Sequence, residues 1–182
     1  MILKIVQTGD PVLRQGTTEV EPGRIGSPEL QRLIELMRAT MLDAPGVGLA
    51  APQVGVPLRL AVLEDRAEVI AALDPADVRA KDRRPVPFQV LINPRLRVLD
   101  ATPATFVEGC LSVAGFAAEV PRAQSVEVKA LDHQGQPLSI VASGWHARIL
   151  QHEIDHLDGT LYLDRMNSRT FTNVLAHPGR RS

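Results

Sequence analysis

The 182 residues carry 20 lysines and arginines against 21 aspartates and glutamates, a balance that excludes an overall field drawing the chain to nucleic acid or to an anionic membrane. Aromatic residues make up 3% of it, too few for base stacking to be a main function, and its one cysteine has no partner for an internal disulfide. The length fits a single domain, 1–182, whose core needs neither disulfide nor structural metal. The opening Met1-Ile2-Leu3-Lys4-Ile5-Val6 is too soon interrupted by Gln7 and Asp10 for a secretion signal, and no apolar run is long enough to span a bilayer. A cytoplasmic location follows as the expectation, a mature organellar form trimmed of its transit peptide being the alternative.

In chain order, Ser27-Pro28-Glu29 is a helix start, with Ser27 as cap, Pro28 in the first turn and Glu29 at the positive end of the dipole. Leu30, Leu33, Ile34, Met37 and Met41 then keep helical spacing as a core stripe, and the helix stops before Ala44-Pro45-Gly46. Leu58 to Leu63 and Gln89 to Ile92 read as strands; the charged segment from Glu64 to Pro87 between them reads as a solvated excursion, a loop or short helix. Ser125 to Leu131 and Pro137 to Ala142 form a hairpin around Asp132-His133-Gln134-Gly135, with His133 a turn residue. Trp145 to Leu157 is a helix, apolar on several faces, capped by Ser143 and stopped at Asp158-Gly159; the tail His177 to Ser182 reads as frayed.

That last helix holds His152-Glu153-Ile154-Asp155-His156, an HExxH string. Histidines four apart sit about 40° from each other around a helix axis, so both rings reach one ion while the glutamate flanks it as a base. Two solvated histidines on a surface helix are the plainer reading, but here the surroundings are apolar, and burying these groups without partners is costly. A catalytic site needs a third protein ligand and an open position. Downstream candidates are Asp158, Asp164 and His177; upstream lies Cys110, a softer and stronger ligand as thiolate, though a lone cysteine is more often an inert small hydrophobe. Asp155, in the same helix, is read as ion-paired with an arginine, and His146 as a neighbour of the site or a surface residue.

Three segments taken together, Gly46-Val47-Gly48-Leu49-Ala50-Ala51-Pro52-Gln53, Glu108-Gly109-Cys110-Leu111-Ser112 and Gln151 to Leu157, resemble the motifs of the peptide deformylase family, in family order. The resemblance runs from about Gly9 to Asn173. It implies an α+β fold in which antiparallel β-sheets pack around a central, buried, metal-binding HExxH helix, with an N-terminal helix. It implies Cys110, His152 and His156 as ligands of one divalent metal ion, Fe2+ in the cell and Zn2+, Ni2+ or Co2+ in purified protein. Glu153 would be the general acid/base, and Gln53 and the Leu111 N–H would hold the formyl oxygen. Val47, Gly48, Gln53 and Arg122 become candidates for contacting substrate, Arg122 being equally readable as a structural ion pair. The stretch after Ser112, the charged segment before Phe88 and the tail Ser168 to Asn173 look like the organellar type, while Met1 as the start does not.

The expected activity is therefore removal of the N-terminal formyl group from formyl-methionine of new polypeptides. The expected partners are N-formylmethionyl nascent peptides and, transiently, the ribosome, with no nucleic-acid specificity and no membrane, as a monomer or homodimer. The alternatives are an HExxH metallopeptidase, told apart by an internal-bond substrate, and a non-catalytic metal- or peptide-binding protein with a closed site.

Overall fold

The computed structural model describes residues 1–177, so the tail expected to fray lies outside the described residues from Pro178 on. Its elements are α1 (Pro28–Asp43), β1 (Gly48–Ala50), β2 (Leu60–Asp65), α2 (Ala67–Ala71), α3 (Pro75–Ala80), β3 (Val86–Gly109), β4 (Phe116–Leu131), β5 (Pro137–Ser143), α4 (Gly144–Leu157) and β6 (Thr172–Asn173), with short 3-10 turns between them. The strands form one antiparallel sheet in the order β1-β2-β3-β4-β5, with β6 added to the start of β4. Among the described residues this continuous sheet takes the place of the separate sheets expected.

Alternation along the strands divides the core in two. Leu60 and Val62 of β2 and Val90 and Ile92 of β3 meet Leu30, Ile34, Met37 and Met41 of α1. Leu63 and Leu91 point the other way, to Ala147, Ile149, Leu150 and Ile154 of α4, and Ala61 meets Leu157. A strand buried on both faces reads as an unbroken apolar run, which is why Leu60 to Leu63 shows no polar alternation. The α1 stripe and its cap are as expected: the Ser27 hydroxyl accepts from the Leu30 N–H at 3.3 Å, and the helix ends at Asp43.

Three expectations change. The strand expected over Gln89 to Ile92 is the start of a 24-residue strand, β3, which pairs with β4 as far as Gly109 opposite Ala117. Its pairing with β4 shifts register three times, between Ile92 and Arg95, between Val98 and Asp100 and between Asp100 and Pro103; the first and last fall at Pro94 and Pro103, because a proline cannot donate to the ladder and is accommodated at a bulge. The charged segment is less solvated than expected: Asp65, Lys81 and Arg83 are buried, Arg83 forks onto Asp65 at 2.8 and 3.1 Å, and Lys81 and Arg83 stack near Trp145. Finally, Ser143 occupies the cap position of α4 without a side-chain cap bond. The loop after α3 is packed against Gly144 instead, which has φ +59° and no room for a Cβ, and the Lys81 carbonyl accepts from the Trp145 N–H at 2.9 Å.

The consequence for function is positional. Helix α4 lies against the sheet beside the end of β3, and the loop after α1 returns across its face through β1. The three motif segments meet there.

Candidate metal centre

On α4, His152 and His156 share a face, with ring centroids 5.0 Å apart and planes at 72°. Cys110 follows the last residue of β3, and the pairing of Gly109 with Ala117 fixes where that strand ends. Its Sγ lies 3.2 Å from His156 Nε2, and one side-chain donor atom from each of Cys110, His152 and His156 lies within 4.8 Å of the other two. Among the described residues this is the only such group of three. Asp158 pairs with Arg59 at 2.7 Å, Asp164 with Arg14 at 2.5 Å, and His177 is exposed near the end of the described chain, so the downstream candidates do not converge.

The donor set fits a soft divalent cation. Burial, reinforced by the charge of His152, pushes His156 well below the usual histidine range, so its ring is neutral and offers a lone pair. At His152 burial opposes charge, but Cys110 and Glu108 outweigh it and raise its pKa well above the usual range. Such an excess of negative partners around a buried imidazole is what a bound cation would neutralise, releasing the proton. The His152 Nδ1 atom is 3.0 Å from Glu108 Oε2, which leaves the other ring nitrogen for an ion.

Glu153 is buried, and its Oε2 has no hydrogen-bond partner. Burial raises its carboxyl to about 7, with the charge of His152 working against the shift. It faces Gly48, where an added Cβ would overlap the carboxylate; glycine here is a requirement of space, with no unusual φ. Gln53 is held in place at both ends of its amide: Oε1 accepts from the Ala50 N–H at 2.8 Å, and Nε2 donates to Ser112 Oγ at 3.3 Å and faces Cys110 Sγ at 3.6 Å. Leu111 follows the cysteine, its carbonyl accepting from Gln7 Nε2 at 2.9 Å, and its Cδ1 would lie 2.9 Å from a Cβ on Gly46. Val47, Gly48, Gln53, Cys110, Leu111 and Glu153 all line one cleft of about 530 Å³.

Arg122 does not line that cleft. It is buried, with Nε and Nη2 forked onto Glu108 at 2.8 and 2.9 Å and Nη1 on Asp155 at 2.5 Å, so the substrate contact considered for it gives way to the ion pair. Arg165 completes Asp155 with two bonds of 2.7 Å, which supplies the arginine partner expected there. His146 is partly buried and outside the ligand group, with its pKa lowered by burial. Two residues of the centre had no role in the sequence reading. Glu108 was visible only as a member of its motif, and Arg148 only as a charge inside an apolar helical run; both are buried and bonded to each other at 2.6 Å.

A model of the polypeptide deformylase family matches residues 2–172. The chain is 52% identical to the chloroplastic peptide deformylase 1A of Solanum lycopersicum over 170 residues, 93% of this chain and 61% of that one. It is 48% identical to the mitochondrial peptide deformylase of Homo sapiens over 93% of this chain and 70% of that one. It thus spans less than two thirds of the tomato relative's length. Its fold matches the Met-Ala-Ser-bound crystal structure of class I type b peptide deformylase from Acinetobacter baumannii, with a TM-score of 0.80 and 34% identity over 91% of this chain and 99% of that one.

Proposed function

This chain belongs to the polypeptide deformylase family, and we propose that it removes the N-terminal formyl group from formyl-methionine of newly synthesised polypeptides by metal-dependent hydrolysis. The observation that carries the reading is the grouping of Cys110, His152 and His156 at the edge of a cleft lined by Cys110, His152 and the buried Glu153, whose Oε2 has no hydrogen-bond partner. The Met-Ala-Ser peptide named for the Acinetobacter baumannii structure is the kind of product such a cleft would release.

Cys110, His152 and His156 would hold one divalent ion, Fe2+ in the cell and Zn2+, Ni2+ or Co2+ in purified protein. When bound, that ion supplies a water of lowered pKa and a Lewis acid for the formyl oxygen. Glu153 takes the proton of the attacking water on its free Oε2 and returns it to the amine nitrogen as the C–N bond breaks, leaving formate and a free N-terminus. A carboxyl already raised to about 7 by its apolar surroundings is well matched to giving and taking a proton near neutrality. Gln53 through Nε2 and Leu111 through its N–H hold the oxygen that becomes charged. Val47 and Gly48 let an extended peptide lie along the backbone of the cleft.

The unit carrying this activity is the single domain read over 1–182, acting as a monomer or homodimer and meeting nascent chains by transient contact with the ribosome. Relatives include chloroplastic and mitochondrial forms, and no described helix is long and apolar enough to cross a membrane. We place the protein in the cytoplasm, with a mature organellar form as the alternative.

Anaerobic purification with metal analysis, followed by parallel assays on a formyl-methionyl peptide and on an internal-bond substrate, tests the reading. Deformylation alone is expected. Cleavage of the internal bond would support an HExxH metallopeptidase, and bound metal with neither activity would support a closed binding site.

A further inference from the structure

Glu108 collects more donors than its charge requires. Arg122 spans both of its oxygens, His152 Nδ1 takes Oε2, and Arg148 Nη1 adds a bond to Oε1 at 2.6 Å. Arg148 is buried on α4 one turn before His152, so the two side chains rise from the same helical face. Its Nη1 also donates to the Val120 carbonyl at 2.9 Å and its Nη2 to the Ala104 carbonyl at 2.6 Å, while its guanidinium lies 5.4 Å from the centre of the Phe106 ring. Ala104 belongs to β3 and Val120 to β4, so this one side chain ties α4 to both strands of the hairpin that carries Glu108.

The two arginines are not equivalent. Arg122 divides itself between Glu108 and Asp155, whereas among the described residues Glu108 is the only carboxylate Arg148 meets. Without Arg148 the Glu108 carboxylate would keep Arg122 as counter-charge, so what it would lose is orientation. We propose that Arg148 is a positioning residue of the metal centre: by saturating Oε1 it stops the carboxylate from turning, so that Oε2 holds His152 Nδ1 and the remaining ring nitrogen is kept toward Cys110 and His156. This inference rests on the ligand set proposed above. The three acceptors are shared between two nitrogens of one planar guanidinium, a spread of donors that the single ammonium nitrogen of a lysine, equal in charge, does not reproduce.

The test is Co2+ binding to metal-free wild type, R148M and R148K, by chelator competition and by the absorption bands of the thiolate-bound ion, at a temperature where circular dichroism shows each protein folded. R148M should bind Co2+ about 10–100-fold more weakly with altered bands, as expected when a group orienting a ligand is removed. R148K should also fall short of wild type. Unchanged affinity and spectrum in a folded variant would overturn the role of Arg148, and so would failure of both variants to fold, which would make the residue a structural staple. Wild type that binds no Co2+ would overturn the ligand set itself.

Discussion

Glu153 and Gly48 show how closely two residues can depend on each other. The carboxylate occupies the space a Cβ on residue 48 would need, so Gly48→Ala must displace the group proposed to move the proton. A shift of that size is expected to lower kcat about 100-fold while leaving the thermal midpoint and metal content near wild type, measured by steady-state assay, melting and metal analysis. Glu153→Ala should lose about 10²–10⁴-fold in kcat and keep its metal. Retention of wild-type deformylation by that variant would remove Glu153 from its role. Gln53 is held at Oε1 by the Ala50 N–H, which aims Nε2 into the cleft; Gln53→Ala should cost about 10²–10³-fold in kcat through loss of one donor to the developing oxyanion.

Helix α4 and the β3–β4 hairpin form the next level, joined by charges in a nearly dry interface. Glu108 and Asp155 are held by Arg122, Arg148 and Arg165, and three of these five side chains are at most 5% exposed. Removing Arg122 alone would leave Glu108 and Asp155 each short of a buried counter-charge. Arg122→Ala should therefore destabilise the fold by about 3–5 kcal/mol, read from urea denaturation of the metal-free protein. A loss under about 1 kcal/mol would mean that water reaches the pair and that the bridge is of the exposed kind. At this scale the sequence was only partly legible. The stripe and cap of α1 and the apolar run of α4 follow from spacing alone, whereas in β3 beyond Ile92 two prolines, two threonines and four charges interrupt the apolar residues and resemble a loop. Only the partner strand, supplying ladder bonds across three register shifts, makes that stretch a strand.

For the whole molecule, the ion is expected to matter for activity more than for folding, because the two apolar clusters around α1 and α4 are complete without it. Chelation should abolish deformylation with little change in far-ultraviolet circular dichroism, and re-addition of a divalent metal should restore it. With iron loaded, peroxide should inactivate the protein through Cys110, the one thiol, which is partly exposed in the cleft; activity surviving unchanged would contradict a thiolate ligand open to oxidation.

The sequence by itself determined the chemistry on offer: two histidines one turn apart, a glutamate between them, a single cysteine and a glutamine in recognisable surroundings, and the helices whose spacing is local. Local periodicity and residue type are properties of neighbours in the chain, so they can be read from it. What only the tertiary structure decided was which distant groups meet. Cys110 lies against His156 across 46 residues, Arg122 turned out to face Asp155 and Glu108 in place of the cleft, and Arg148 became a tie between helix and hairpin. Those outcomes depend on strand register and on where buried charges find partners, and both are settled by the packing of the entire sheet against α4.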